Sequence, residues 1–179
     1  NQHTSSFLNG PPYGVKYVLA LSGVRSRLEW VGTAEGLFLF NEGTGEVVRR
    51  YDLGGLPLEN PLRNRICALL IDDAEKLWIG TMQSGLLMLD PLAASITRYV
   101  HNPRDERSLS SNSVRTIIAD KNRNLWIGTL DGLNMLDRRT GTFVRYYHDA
   151  SSSRSLASSQ INALLEDDAG SAGAATDAE

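Results

Sequence analysis

The chain has 179 residues, 41% of them apolar and 22% charged, with a formal net charge of −3. That is long and apolar enough for a real core, while the absence of a basic footprint excludes broad binding to nucleic-acid backbones. No apolar stretch approaches the roughly 18–20 residues of a bilayer span. Asn1–Ser6 lacks the basic-then-apolar pattern of a signal peptide. Cys67 is the single cysteine, which excludes an intramolecular disulfide, and it reads as a small buried hydrophobe.

Residues 1–12 read as an N-terminal tail. The first unit, residues 13–57, opens on the apolar run Val18–Leu21 and continues with Trp30-Val31-Gly32-Thr33, then Gly36–Asn41 and, after a glycine turn, Val47–Tyr51. Residues 58–103 repeat the series as Ile66–Ile71, Trp78-Ile79-Gly80-Thr81, Gly85–Asp90 and Ile96–Tyr99. Residues 104–150 repeat it again as Val114–Ala119, Trp126-Ile127-Gly128-Thr129, Gly132–Asp137 and Phe143–Tyr147. Trp30, Trp78 and Trp126 are spaced by 48 residues twice over, a period in the range of repeat architectures. Residues 151–170 open a fourth unit with Ile161–Leu165. The small-residue stretch at 171–179 then reads as a linker or tail.

Each run is short, rich in Val, Ile, Leu, Tyr and Trp, and bounded by Gly, Asn, Asp or Ser, which predicts strands. No window sustains helical spacing. Ile66–Ile71 has no polar alternation, so both of its faces should be buried. Arg49, Arg98 and Arg145 punctuate the last run of each unit, as suits an exposed edge. The prediction is an all-β fold of β-propeller blades, each of four antiparallel strands with the first innermost. About three blades plus one extra strand make a partial propeller. Trp30, Trp78 and Trp126 are assigned to the wedge between blades, and Gly32, Gly80 and Gly128 to close backbone approach or a bend.

Asp72, Asp73, Asp120, Asp167 and Asp168 fall in the turn after a first strand and read as turn caps, since a calcium site needs a denser oxygen cluster. His3, His101 and His148 have no partner at metal spacing. No nucleophile elbow, phosphate loop or Cys/His cluster is present, so no enzyme activity, cofactor or metal is expected.

Function is sought where the units differ. The connection into each first strand and the turn between second and third strands should emerge on one face. On that face the candidate ligand-binding residues are Asn64, Arg65, Gln83, Asn112, Arg115, Asp131, Gln160 and Asn162. One column across successive units reads Leu19, Cys67, Arg115, Asn162, and the guanidinium fork of Arg115 suits a carboxylate or a sugar hydroxyl.

The segment Asp120–Thr129 with Asp131–Asp137, flanked by Ser108–Val114 and Phe143–Asp149, resembles the two-component regulator propeller repeat. The likeness extends over roughly residues 15–170. WD-repeat and Kelch propellers match less well, because no Trp-Asp pair and no recurring Gly-Gly pair is present. The resemblance implies a non-enzymatic, extracytoplasmic sensor region of a membrane receptor, periplasmic in location, holding a carbohydrate or small polar ligand. The alternative is a self-assembling interaction module without such a ligand. Three units and one strand cannot close a ring of about four to eight blades. The flanks of units one and three should therefore face water. The expected partners are a second copy of the chain, with Ile161–Leu165 reaching across to it, or the missing blades of a longer receptor.

Overall fold

The computed structural model describes residues 18–23, 27–51, 53, 65–166 and 172–176, with the backbone alone for 18–23 and 172. Blade 1 comprises β1 (Val18–Gly23), β2 (Leu28–Thr33), β3 (Gly36–Asn41) and β4 (Glu46–Tyr51). Blade 2 comprises β5 (Ile66–Ile71), β6 (Leu77–Thr81), β7 (Leu86–Asp90) and β8 (Ser95–Tyr99). Blade 3 comprises β9 (Val114–Ala119), β10 (Leu125–Thr129), β11 (Gly132–Asp137) and β12 (Thr142–Tyr146). A two-stranded fourth unit follows, β13 (Ile161–Glu166) and β14 (Ala172–Thr176).

Every blade is an antiparallel sheet in simple chain order, as expected. First strands pack beside one another, β1 on β5, β5 on β9 and β9 on β13. Burial falls outward from β6, buried throughout, to β8, where no residue is fully buried, but the innermost β5 is not buried on both faces as expected, since only Ile66 and Ala68 are buried there.

What sets the blade spacing is a recurring close approach. A methyl placed on Gly32 would come within 2.5 Å of Ile66 Cγ2, and one on Gly80 within 2.6 Å of Val114 Cγ1. Gly128 and Ile161 Cγ2 repeat the contact at 2.6 Å. Each second-strand glycine thus leaves space for the β-branched residue that opens the next first strand, and Ile66, Val114 and Ile161 are all fully buried. Outside this pivot the tryptophans fill the widening wedge. Trp30 belongs to one buried cluster with Leu77 and Leu87 of the next blade, and Trp78 to another with Leu125 and Phe143. Each tryptophan also meets the tyrosine ending its own blade, at centroid distances of 4.7 Å (Trp30–Tyr51), 5.9 Å (Trp78–Tyr99) and 5.7 Å (Trp126–Tyr146).

The fourth unit departs from expectation. Residues 172–176, assigned to the tail, form a strand whose register repeats that of the full blades. Ile161 pairs with Thr176 and Ala163 with Ala175, as Ile66 pairs with Thr81 and Ala68 with Gly80. Ala-Gly-Ala-Ala-Thr has little strand propensity, and pairing with β13 decides its conformation. Gly173 stands where the other units have tryptophan, opposite Leu165 as Trp78 stands opposite Leu70. β13 packs on β9 and β10 of its own chain, anchored by Ile161.

The two end flanks differ as well. On blade 3, Trp126 is only half-buried and Tyr146 is 40% exposed, because β14 offers Gly173 and Ala174 where a full blade offers large side chains. Blade 1 lacks the open flank expected of it. Val31 and Phe38 are buried, and the Arg50 guanidinium lies 5.7 Å from the Phe38 ring centroid.

This asymmetry predicts unequal costs for the same truncation. Trp78→Ala should destabilise by about 3–5 kcal/mol, the range for a large aromatic lost from a core, and Trp126→Ala by roughly half of that. Denaturant titration checks both. Equal losses would show that the flank of blade 3 is covered, and a loss below about 1 kcal/mol for Trp78 would show that its ring does not hold two blades together.

Candidate ligand-binding face

The connections and turns singled out from the sequence do converge on one face. Met82 N–H donates to the Arg65 carbonyl at 2.9 Å, and Leu130 N–H to the Ser113 carbonyl at 3.1 Å, each joining a second-to-third-strand turn to the start of its own blade. Gly85 N–H donates to the Asn112 carbonyl at 3.0 Å and Gly132 N–H to the Ser159 carbonyl at 2.6 Å, which join the same turns to the next blade. Ser113 Oγ adds a bond to the Met82 carbonyl at 2.6 Å.

The column Leu19, Cys67, Arg115, Asn162 has a structural meaning that strand periodicity does not reveal. In each first strand the register slips at that residue, between Val18 and Ala20, Ile66 and Ala68, Val114 and Thr116, and Ile161 and Ala163. These are β-bulges. The extra residue is left out of the ladder, a device that re-aims a side chain and is frequent beside binding sites. All lie at the end of the strand where its connection arrives.

Arg115 is half-buried, and its Nε is buried with no hydrogen-bond partner. Arg65, just before β5, is half-buried too. Neither guanidinium has an ion-pair partner among the described residues. Cys67, the bulge residue of β5, places its thiol 3.7 Å from the Arg65 carbonyl. Burial pushes that thiol up from its ordinary range, and the positive charges of Arg115 and Arg65 oppose the shift without cancelling it. It is therefore a neutral thiol at pH 7.

The remaining candidates are less uniform. Gln83, Asp131, Gln160 and Asn162 are exposed on this face. Asn112 is partly committed, since its side-chain oxygen accepts the His101 N–H at 2.8 Å. Asn64 lies outside the described residues.

Two features escaped the sequence reading. Of the aspartates after the first strands, Asp167 and Asp168 lie outside the described residues and Asp73 pairs with Arg123, whereas Asp72 and Asp120 cap their turns, Asp72 Oδ1 accepting the Ala74 and Lys76 amides and Asp120 Oδ1 that of Asn124. They also hold the tryptophans. Trp78 Nε1 donates to Asp72 at 2.8 Å and Trp126 Nε1 to Asp120 at 2.9 Å. The shared spacing of six residues is the signal that could have found them. His101 and His148 are loop staples, His101 Nδ1 lying 2.8 Å from the Leu109 carbonyl and His148 Nδ1 2.6 Å from that of Leu156, while His3 lies outside the described residues. Among the described residues no three His, Cys, Asp or Glu side chains gather to hold a metal ion, and no helix is long and apolar enough to cross a membrane.

With this geometry in place, the comparisons with known proteins are specific. Residues 108–131, which run from the connection before β9 to the turn after β10, match the two component regulator propeller family. The chain is 33% identical over 58 residues to Histidine kinase P4 of Formosa agariphila, a match covering 32% of the chain and 4% of the kinase. Among solved structures it superimposes on the extracellular domain of the hybrid two component system BT3049 of B. thetaiotaomicron with a TM-score of 0.70. Identity there is 24%, over 88% of this chain and 22% of that one. The WD40 propeller domain of Doa1 superimposes with a TM-score of 0.64 at 12% identity, over 88% of this chain and 47% of that one. At these identities the structural matches establish a propeller fold, and the chain spans less than a quarter of the bacterial receptor domain.

The Asp120 link generates a prediction with a defined sign. Burial pushes the Asp120 carboxyl up, but the hydrogen bonds from the Trp126 indole, the Asn124 side chain and the turn amides outweigh it, so the group ends below the ordinary carboxylate range. A depressed value means that the stabilisation is complete above the unfolded-chain value of about 3.9 and is lost as the pH falls through the lower folded-state value. Asp120→Ala should therefore cost about 1–2 kcal/mol at pH 7. The gap between wild-type and variant urea midpoints should narrow below pH about 4. A gap constant from pH 7 to 2.5, about a unit below that value, would show that the ionised carboxylate is not what holds the indole.

Proposed function

We propose that the chain is a non-catalytic part of an extracytoplasmic sensor propeller belonging to a longer receptor, and that its bulge face holds a small polar or carbohydrate ligand. One observation carries this reading. The residues opening the first strands are uniform, Val18, Ile66, Val114 and Ile161, as a repeated packing role requires. The bulge residues directly after them are Leu19, Cys67, Arg115 and Asn162. Identical backbone positions carrying an alkyl, a thiol, a guanidinium and an amide suit recognition of one asymmetric molecule better than construction of a repeat. The repeat family and the fold shared with an extracellular receptor domain support the sensor assignment.

The half-open flank of blade 3 favours a second reading, an interaction module in which that flank meets a further blade. Trp126 and Tyr146 there lack the neighbours that cover Trp78 and Tyr99. In this reading the blade comes from a second copy or from the rest of a longer chain.

A thermal-shift screen with sugars, polyols and organic acids separates the two. A ligand at about 100 times its Kd adds about 2.7 kcal/mol of stability, and Arg115→Ala should weaken that response while leaving the unliganded melting temperature nearly unchanged. A melting midpoint that rises with protein concentration, with no response to any small molecule, would overturn the ligand-binding proposal in favour of assembly.

A further inference from the structure

We infer that the bulge face recognises an anion, a carboxylate held between Arg65 and Arg115. This inference rests on the ligand-binding reading above and names the chemical class of its ligand. The starting point is an imbalance of charge. Elsewhere in the described structure, half-buried cations have acceptors: Lys76 pairs with Asp90, and Arg145 Nε donates to the Ser108 carbonyl at 2.6 Å. Arg65 and Arg115 are the exception. Both are half-buried, they come from neighbouring first-strand segments, and neither meets a carboxylate among the described residues.

The thiol that both charges act on does not repair the imbalance. Cys67 feels both positive charges, yet its thiol stays neutral because burial outweighs them. Arg115 Nε is moreover a buried donor without an acceptor. Leaving such a group unsatisfied carries a desolvation penalty, and two positive charges that both act on one thiol repel one another. A ligand carboxylate removes both penalties at once. Its oxygens accept from the planar guanidinium forks, the geometry in which arginine outperforms lysine.

Two alternatives fit less well. A nucleic-acid backbone needs a wide basic surface, and the chain carries a net charge of −3. A metal ion is repelled by two arginines. The carboxylate could belong to a sugar acid or to a free organic acid, and the test must tell these apart.

Isothermal calorimetry on the whole chain with glucuronate, glucose and acetate provides that test, because glucose has the same kind of sugar ring without the carboxylate. Glucuronate should bind at least about tenfold more tightly than glucose, and this advantage should shrink to near unity in Arg115→Gln and Arg65→Gln. Arg115→Lys, which keeps the charge but not the fork, should retain part of it. Melting temperatures of the free variants, expected within a few degrees of wild type, verify folding. Acetate as tight as glucuronate would support the inference and assign recognition to the carboxylate alone. Glucuronate tighter than acetate would support it and add contacts to the ring. Equal affinity for glucose and glucuronate would overturn the anion assignment while leaving a ligand-binding face intact. A glucuronate advantage that persists in both arginine variants would also overturn it. If no member of the wider screen bound, the ligand-binding reading would fall and this inference with it.

Discussion

The fold depends on the close approach of a second-strand glycine to the residue that opens the next first strand. Everything outside that pivot follows from it. With Gly80 lacking a side chain, Val114 can sit against the backbone of blade 2, so the first strands crowd together while the outer strands diverge. The divergence makes a wedge, and the tryptophans are the side chains large enough to fill it. The indole N–H groups of Trp78 and Trp126 are met by the aspartate of the preceding turn, so these rings pack into the wedge without a lost hydrogen bond. Arg138 then ties neighbouring blades, pairing with Asp72 and standing 5.9 Å from the Trp78 ring centroid.

The same pivot positions the candidate site. Cys67, Arg115 and Asn162 each follow the buried residue that occupies the glycine gap. Packing holds that anchor, and the bulge releases the next residue from the ladder. A rigid contact and a freely variable side chain are thus adjacent in sequence. Within one repeated frame, the anchor must remain β-branched and apolar, whereas the bulge residue can change its chemistry from blade to blade. The fourth unit shows how little is needed to keep the frame. Its second strand has lost tryptophan and glycine alike, yet Ile161 still seats against Gly128 and the register with β14 is maintained. What is lost is the wedge, which leaves Leu165 73% exposed beside Gly173.

Much of this was legible in the sequence because a repeat states its own frame. The blade count, the strand order, the inner-to-outer gradient and the face shared by Arg65, Ser113 and Met82 all follow from sliding one unit over the next. The Asp120–Trp126 bond was hidden because Asp is an ordinary turn residue, and its second partner lies on a different strand. The strand Ala172–Thr176 was hidden because small residues carry no strand signature, and only the register of β13 reveals it. The bulges were invisible for another reason. A slip of one residue leaves a mostly apolar run looking unchanged, so the column containing Arg115 could be recognised as unusual without its backbone cause being apparent.

The most direct test of the pivot is a double-mutant cycle between Gly80 and Val114. Gly80→Ala alone should be destabilising by about 1–3 kcal/mol, as overpacking of a filled contact is. Val114→Ala alone should also destabilise, by removing buried methyl groups. If the two positions share one gap, the smaller side chain makes room for the new methyl. The double variant should then be more stable than the sum of the single effects predicts, with a coupling of at least about 1 kcal/mol. Additive losses would contradict the account, because they would mean that the glycine is not there to receive the neighbouring blade.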